Sequence, residues 1–358
     1  MSLLATSFAW VVALQAQAAA VPEDVVAEIS ESGRSTVAAK AISRAAPKYP
    51  GLELRQGRQA WVHVAYCIDE SGQPQNVSVL DSVGSERFDR AAIQTVESWE
   101  YEPALVDGVP TWQSRNEVYI SFALEDGNKG GSPGFVRTFK KIGRLIDAGD
   151  YDAAAELFDK THGSDKLSLY ELTKLWAQRV RIEAARGDFT RLRMALQRAT
   201  ASDGKWIDKE SYLQLMSLLV KVEVSMGHYA SSLYSYRKLV KAAGDEHEFV
   251  QQLRPGMAEV RALADGDTAL SISAKIHSSA DCLHCSDSWN FRPIRRRLTL
   301  ANVQGQLDSI EMRCDHKRFT SEVSDAVEWH IPESWGSCRV HIYGEPGTRF
   351  DVYELPPE

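Results

Sequence analysis

Apolar and polar positions alternate along residues 61–68, and a period of two predicts a half-buried β-strand. Residues 69–72 have the composition of a turn, and the alternation resumes at Val77 and Val79. We therefore predict a β-hairpin in this part of the chain. One face of its first strand would carry Val62, Val64, Tyr66 and Ile68, and the other would carry Trp61, His63, Ala65 and Cys67.

A helical period follows the hairpin. Apolar residues recur at helical spacing along residues 88–99, and Ser85 precedes them at the position of an N-cap. The alternation of a strand returns along residues 118–122. The order β-β-α-β predicts a small sheet, of which a single helix can cover only one face.

Residues 134–265 carry a helical pattern with almost no strand signal. Three Gly-x-aromatic turns begin at Gly149, Gly187 and Gly227, which lie 38 and 40 residues apart, and each turn separates two apolar helical segments. This arrangement is typical of tetratricopeptide-like (TPR-like) arrays, and we predict three such units. An all-α spacer without a ligand fits the same pattern.

The first residues resemble a secretory signal peptide. An uncharged apolar run at residues 3–14 is followed by small residues at the positions that a signal peptidase reads, and we expect cleavage after Ala18 or Ala20. The alternative is an uncleaved membrane anchor through residues 3–20, although the apolar run is short for a span of about 20 residues. Residues 21–43 are predicted to be a flexible segment.

Residues 268–358 favour β-structure and contain four of the five cysteines. In a secreted protein we predict structural disulfides within the pairs Cys282–Cys285 and Cys314–Cys338. Two alternatives are a zinc site that uses these cysteines and a redox-active C-x-x-C pair. The wide second spacing disfavours a zinc ribbon, and the surrounding strands disfavour a thioredoxin-like redox centre.

The composition and the absence of known catalytic motifs argue against several classes of function. The 358 residues are 44% hydrophobic and 25% charged, which is typical of globular domains, and the formal net charge of −8 argues against nucleic-acid binding. The sequence contains no H-E-x-x-H motif, no glycine-rich phosphate loop and no EF-hand loop. We therefore predict a non-enzymatic protein with no cofactor, no metal and no small-molecule substrate.

Two groups of arginines stand out against this acidic balance. We interpret the group in the helical region as a solvated face, and the group near the C-terminal strands as a charged strand edge or a contact for anionic lipid headgroups. The two groups are Arg179, Arg181, Arg186, Arg191, Arg193 and Arg198, and Arg292, Arg295, Arg296 and Arg297.

Several motifs in residues 41–124 occur in an order and at distances that resemble the TonB C-terminal domain family. They are a Tyr-Pro segment with Pro47, Tyr49 and Pro50, a D-x-x-G hairpin at residues 69–72, an F-D-x-A-A helix at residues 88–92 and a W-x-Y-x-P exit at residues 99–103. The resemblance implies a periplasmic domain that binds an extended segment, the TonB box, of a TonB-dependent outer-membrane receptor. The segment would add as a strand to the edge of the sheet.

The resemblance also implies the residues of the binding edge. The implied partner-binding residues are Asn116, Glu117, Val118, Tyr119, Ile120, Ser121 and Phe122, with Pro47, Tyr49 and Pro50 nearby. By alternation Val118, Ile120 and Phe122 point inward, so only the backbone edge and the outward residues Glu117, Tyr119 and Ser121 are free to contact a partner.

Three departures from the family pattern argue against force transmission from the inner membrane. We recognise no membrane anchor with a polar motif, the segment before the domain is not proline-rich, and Ala46 replaces the glutamine that the family places before the Tyr-Pro segment. A stand-alone envelope scaffold without energy coupling is therefore an alternative function. A periplasmic thiol–disulfide protein that uses Cys282 and Cys285 is another.

Together these patterns predict an α+β multidomain protein of the periplasm. It would contain a signal peptide (1–20), a flexible segment (21–43), a TonB C-terminal-like domain (44–125), a helical TPR-like domain (134–265) and a β-rich cysteine-containing domain (268–358). We expect a transport-linked protein–protein interaction with a TonB-dependent receptor or another envelope protein.

Overall fold

The computed structural model describes residues 36–124, 130–163, 166–276, 288–323 and 327–357. The first of these ranges contains two helices and eight strands. They are β1 (Thr36–Val37), β2 (Lys40–Ser43), α1 (Gly51–Arg55), β3 (Ala60–Ile68), β4 (Pro74–Val83), α2 (Glu86–Glu97), β5 (Glu100–Glu102), β6 (Ala104–Val106), β7 (Val109–Thr111) and β8 (Gln113–Phe122).

The main sheet of this region is antiparallel and has the strand order β4-β3-β8. Val64 of β3 lies between Val79 of β4 and Val118 of β8. One face packs against α2, as the β-β-α-β pattern predicts, and buries the residues predicted for that face. Ser85 takes the N-cap position of α2, but its hydroxyl donates to Glu53 Oε1 at 2.8 Å instead of capping the helix.

The second face of the sheet is also buried, so the prediction of a half-buried strand is wrong for β3. Trp61 is 3% exposed and Cys67 is 2% exposed, although both point away from α2. Trp61 and Val83 belong to the hydrophobic cluster of the helical region. The helices and the C-terminal strands therefore cover the face that a single helix leaves open.

Seven helices follow in the described residues of the helical region. They are α3 (Pro133–Asp147), α4 (Tyr151–His162), α5 (Leu169–Arg186), α6 (Phe189–Ala199), α7 (Lys209–Ser225), α8 (Tyr229–Ala243) and α9 (Glu248–Ala262). The three Gly-x-aromatic turns separate α3 from α4, α5 from α6 and α7 from α8.

The composition of these turns has a local physical reason. Gly149, Gly187 and Gly227 have φ of 77°, 71° and 75°, a left-handed conformation that glycine adopts without steric cost. At the first two turns the next residue, Asp150 or Asp188, accepts a hydrogen bond from the first turn of the following helix. Each glycine thus ends one helix and each aspartate begins the next.

The arginines of the helical region do not form one solvated face, and that interpretation is wrong for three of them. Arg179 is 8% exposed. The Arg193 guanidinium lies 3.4 Å from the buried carboxylate of Glu223. Arg198 reaches out of the helical region to the main sheet, as described below.

The C-terminal region contains eight strands in the described residues. They are β9 (Leu270–Lys275), β10 (Ser288–Phe291), β11 (Arg297–Gln304), β12 (Leu307–Cys314), β13 (Arg318–Glu322), β14 (Glu328–His330), β15 (Cys338–Gly344) and β16 (Arg349–Leu355). They form two antiparallel sheets with the orders β10-β15-β12-β13 and β14-β11-β16-β9, and both sheets contribute to one hydrophobic cluster.

One predicted disulfide is present. Cys314 and Cys338 occupy paired positions on β12 and β15 and are joined. The predicted Cys282–Cys285 pair lies outside the described residues. Within the described ranges, no group of three or more His, Cys, Asp or Glu side chains is placed to hold a metal ion. No helix in the same ranges combines the length and apolarity needed to cross a membrane.

Arg295 fastens the C-terminal strands to the end of the helical region. It is 5% exposed, so the interpretation as a charged strand edge or a lipid contact is wrong for this residue. Its guanidinium donates to the carbonyls of Leu263, Gly266 and Thr268, at distances from 2.6 to 2.9 Å. One buried side chain therefore holds three carbonyl groups of the connecting segment.

Glu354 lies beside this contact and is buried. Its carboxylate accepts the backbone N–H groups of Ile294 at 2.7 Å and Arg295 at 2.8 Å. Burial raises the pKa of Glu354 to about 7, although these hydrogen bonds and the charge of Arg295 act in the opposite direction. Ionisation of this carboxyl group therefore opposes folding near neutral pH.

We expect the Glu354→Gln variant to gain stability over the wild type as the pH rises. In the folded wild type the carboxyl group keeps its proton up to about pH 7, whereas the unfolded chain loses it near its ordinary pKa. Wild-type stability thus falls between about pH 4.5 and 7, by up to about 3 kcal/mol from this group. Urea unfolding at pH 5 and pH 8 measures the difference. Glu345→Gln, at an exposed position, is the control, and a pH-independent difference for Glu354→Gln would contradict the assignment.

Candidate functional site

The candidate site is the edge strand β8. It pairs with β3 on one side, and among the strands that the structure describes none pairs with its outer side. The pairing of β8 with β3 is regular from Phe122 to Asn116. It then shifts by one residue before Gln113, so β8 contains a bulge near its beginning.

The inward residues of β8 lie where alternation places them. Ile120 and Phe122 are buried against α2, and Val118 is half-buried against the same cluster. The Tyr49 ring packs edge-on against Phe88 and Phe122, with ring centroids 5.7 Å apart in both pairs. The Tyr-Pro segment is thus close to the end of β8.

Pro47 and Pro50 flank Tyr49 in the chain and are half-buried. Pro50 is the N-cap residue of α1, and the hydroxyl of Tyr49 donates to the carbonyl of Arg58, just after this short helix. The segment and α1 are therefore tied together beside the core of the main sheet.

The outward residues of β8 contact other parts of the protein. Glu117 Oε2 lies 3.2 Å from His63 Nε2. Glu117 Oε1 accepts hydrogen bonds from Arg292 at 2.5 Å and Arg339 at 2.6 Å, both in the C-terminal region. The ring of Tyr119 stacks on that of His63, with centroids 4.2 Å apart.

Ser121, the third outward residue, has its Oγ 3.5 Å from that of Ser202 in the helical region. All three outward side chains therefore take part in internal contacts. The alternation of residues predicts the face of the sheet on which these side chains lie. It does not predict which residues cover that face.

Glu117 is an ionised carboxylate whose side chain is only 12% exposed. Burial opposes its ionisation, but the charges of Arg339 and Arg292 and the hydrogen bond with His63 hold the pKa of Glu117 well below its usual range. Such a pair is held in place because either partner alone would be a buried, uncompensated charge. Glu117 thus joins β8 firmly to the C-terminal strands.

A second ion pair on the same face joins the sheet to the helices. Arg198 of α6 donates to both oxygens of Asp81 on β4, at 3.0 and 2.8 Å. Its guanidinium also lies 4.7 Å from the ring centroid of Trp176. A bidentate pair that stacks on an aromatic ring fixes both position and orientation.

The C-terminal region also touches the backbone of β8 at its beginning. The Ser114 N–H donates to the Asp315 carbonyl at 2.7 Å, and His316 Nδ1 lies 3.3 Å from the Trp112 carbonyl oxygen. The loop after β12 therefore occupies one position of the edge that is otherwise without a described partner strand.

Cys67, the odd cysteine, is buried and forms no disulfide within the described part of the chain. It lines a small cavity between β3 and the C-terminal strands, together with Glu117, Arg313 and His341. Burial and the charges of Arg313 and Arg339 lower the pKa of His341 to about 3, so this imidazole is neutral at physiological pH. The thiol is covered by another region of the same chain.

Comparison with known proteins identifies the first region. Residues 45–124 match the family model described as the Gram-negative bacterial TonB protein C-terminal. Protein TonB of Vibrio cholerae is 30% identical over 79 residues, which are 22% of this chain and 32% of that protein. Protein TonB of Yersinia enterocolitica is 38% identical over 63 residues, which are 18% of this chain and 25% of that protein.

Two solved structures are similar in sequence to part of this chain. The TonB CTD of Pseudomonas aeruginosa is 29% identical, and the match covers 24% of this chain and 87% of that one, with a TM-score of 0.21. The tonb2 protein of Vibrio anguillarum is 25% identical, with coverages of 30% and 92% and a TM-score of 0.20.

The family resemblance drawn from the motifs is therefore confirmed, and residues 45–124 belong to the TonB C-terminal domain family. The chain spans about a third or less of the length of these curated relatives.

We expect Glu117→Gln to lower the free energy of unfolding by about 3 kcal/mol, because Arg292 and Arg339 would lose the half-buried carboxylate that they share. Since the folded-state pKa of Glu117 is depressed, the contribution is present above about pH 4.5 and disappears as the pH falls through that lower pKa. Urea unfolding at pH 7 measures the loss.

The matched control is Glu86→Gln, which removes an exposed i,i+4 pair with Arg90 and should cost less than about 1 kcal/mol. Equal losses for the two variants would show that the contact of Glu117 with the C-terminal strands does not stabilise the fold.

Proposed function

We propose that this protein is a non-enzymatic interaction protein of the periplasm that binds an extended segment of a TonB-dependent outer-membrane receptor by strand addition to β8. The observation that carries the proposal is an edge strand without a described partner strand, in a domain of the TonB C-terminal family. Backbone N–H and C=O groups along such an edge can pair with an added strand.

The contacts of β8 support binding through the main chain. The side chains of Glu117 and Tyr119 are engaged on the second face of the sheet, and those of Ile120 and Phe122 are engaged in the core. A partner strand would therefore meet mainly backbone groups on β8. Because side chains on both faces hold β8 in place, little of it would have to become ordered on binding.

In this proposal the helical and C-terminal regions support the main sheet structurally. We propose that the helical region (134–265) is a TPR-like array and that the C-terminal region (268–358) is a separate β-rich domain, both docked on the second face of the main sheet. The ion pairs Asp81–Arg198 and Glu117–Arg339 support this arrangement, since each joins the sheet to a different region. A cleaved signal peptide and a role linked to transport belong to the same proposal.

A pull-down from solubilised outer membranes tests the proposal. We expect the mature protein to capture a TonB-dependent receptor and the Val118→Pro variant to lose most of it, because proline interrupts hydrogen bonding along β8. The matched control is Val79→Pro on β4, the opposite edge strand. Val79 and Val118 both pair with Val64, and both are half-buried against the same cluster.

Circular dichroism and melting temperatures establish which variants keep the fold. If Val118→Pro does not fold, hydrogen exchange of the wild type with a synthetic TonB-box peptide replaces it, and we expect added protection within residues 116–122. Receptor capture by a folded Val118→Pro variant at the wild-type level, or unchanged exchange along β8, would contradict binding at this edge.

A further inference from the structure

The beginning of β8 is already occupied by the loop between β12 and β13, which we name the Asp315 loop (residues 314–317, counted from the last residue of β12). Ser114 is 2% exposed, and its N–H donates to the Asp315 carbonyl at 2.7 Å. The next residue of the loop, His316, has its Nδ1 3.3 Å from the Trp112 carbonyl oxygen. These two contacts use backbone groups of Trp112, just before β8, and of Ser114, near the start of the strand.

The Asp315 loop is held rigidly against β15. Its first residue, Cys314, is bonded to Cys338. The Asp315 N–H donates to the Ser337 carbonyl at 3.0 Å, and the Ser337 N–H donates to Asp315 Oδ2 at 2.9 Å. A disulfide and two hydrogen bonds therefore fix the carbonyl that Ser114 contacts.

The turn before β15 also fits closely around the loop. Gly336 has φ of 71°, and a Cβ on this residue would lie 2.7 Å from Asp315 Oδ2. The His316 N–H donates to the Trp335 carbonyl at 3.1 Å. Because residues 335–338 hold three successive residues of the loop, Cys314, Asp315 and His316, it does not adjust easily to a strand that approaches β8.

The geometry of β8 changes at the same place. The bulge interrupts the regular pairing with β3 between Asn116 and Gln113, so the backbone groups of this stretch are out of step with the rest of the strand. The regular part of β8, from Asn116 to Phe122, lies beyond the loop. The bulge and the loop thus set the same boundary.

We propose that the Asp315 loop is a built-in stop on the binding edge, which closes β8 before Asn116 and confines an added strand to residues 116–122. This inference rests on the proposed function, because it names where on β8 the partner segment pairs. The partner would be a short extended peptide segment that leaves the edge at the loop. The Cys314–Cys338 disulfide would act as a positioning element for the stop.

Amide hydrogen exchange of the full mature chain, followed by NMR with and without a synthetic TonB-box peptide, tests the stop. In the wild type we expect slow exchange of the Ser114 amide before any peptide is added. Peptide should add protection within residues 116–122 and none at residues 112–115. In the Cys314→Ser, Cys338→Ser double variant we expect the Ser114 amide to exchange at least tenfold faster.

Peptide should then extend its protection to Ser114 in the double variant and bind at least threefold more tightly. Asp315→Ala, which keeps the disulfide but removes the acceptor for the Ser337 N–H, is the second variant if the double variant does not fold. Val352→Ala, a buried position in the other sheet of the C-terminal region, is the control for general destabilisation.

The outcomes separate this inference from the proposed function. Wild-type binding with protection that already includes residues 112–115, or with no change in the loop variants, overturns the stop and leaves strand addition intact. Binding only by the loop variants supports the stop and shows that it closes more of the edge. Failure of every protein to bind the peptide overturns both proposals. Fast exchange of the Ser114 amide in the wild type overturns the stop alone. A Val352→Ala variant that also frees Ser114 would overturn the stop.

Discussion

The second face of the main sheet imposes the constraint on which the rest of the structure depends. One helix can cover only one side of a three-stranded sheet, and the other side carries Trp61 and Val83, which are costly to leave in water. In this chain the helices and the C-terminal strands provide the missing cover. The three regions are therefore joined through a surface that belongs to the TonB-like domain.

Charge on this face makes the joining specific. Asp81 and Glu117 project from opposite edge strands, and each meets an arginine from a different region. Hydrophobic contact alone would allow one surface to slide on the other, whereas paired charges in a partly buried interface fix their relative position. The acidic balance of the whole chain hides this use of arginine, because Arg193, Arg198, Arg292 and Arg295 act inside the molecule.

The covered face also determines what β8 can offer to a partner. With side chains engaged on both faces, the strand presents its backbone edge, and the Asp315 loop meets that edge at its beginning. The C-terminal region therefore affects both the stability of the main sheet and the part of β8 that is open to a partner. The region that buries the second face is the same region that reaches the end of the edge strand.

The sequence by itself determined the local elements and the family. Alternation identified β3 and β8, the helical period identified α2, and the order of the motifs identified the TonB-like domain, which the family comparison confirmed. The Gly-Asp turns of the helical region were likewise predictable, since left-handed glycine and aspartate caps act within a few residues. These features are local, because each depends on residues that are close together in the chain.

Only the tertiary structure decided what surrounds the site. Ser85 resembles a helix cap, yet its hydroxyl binds Glu53, and Glu117 resembles an outward residue, yet it meets Arg339, which lies 222 residues later. Arg198, assigned to a solvated face, pairs with Asp81 across 117 residues. A contact between distant residues leaves no periodic signal in either segment, because it depends on how two separately formed surfaces pack together.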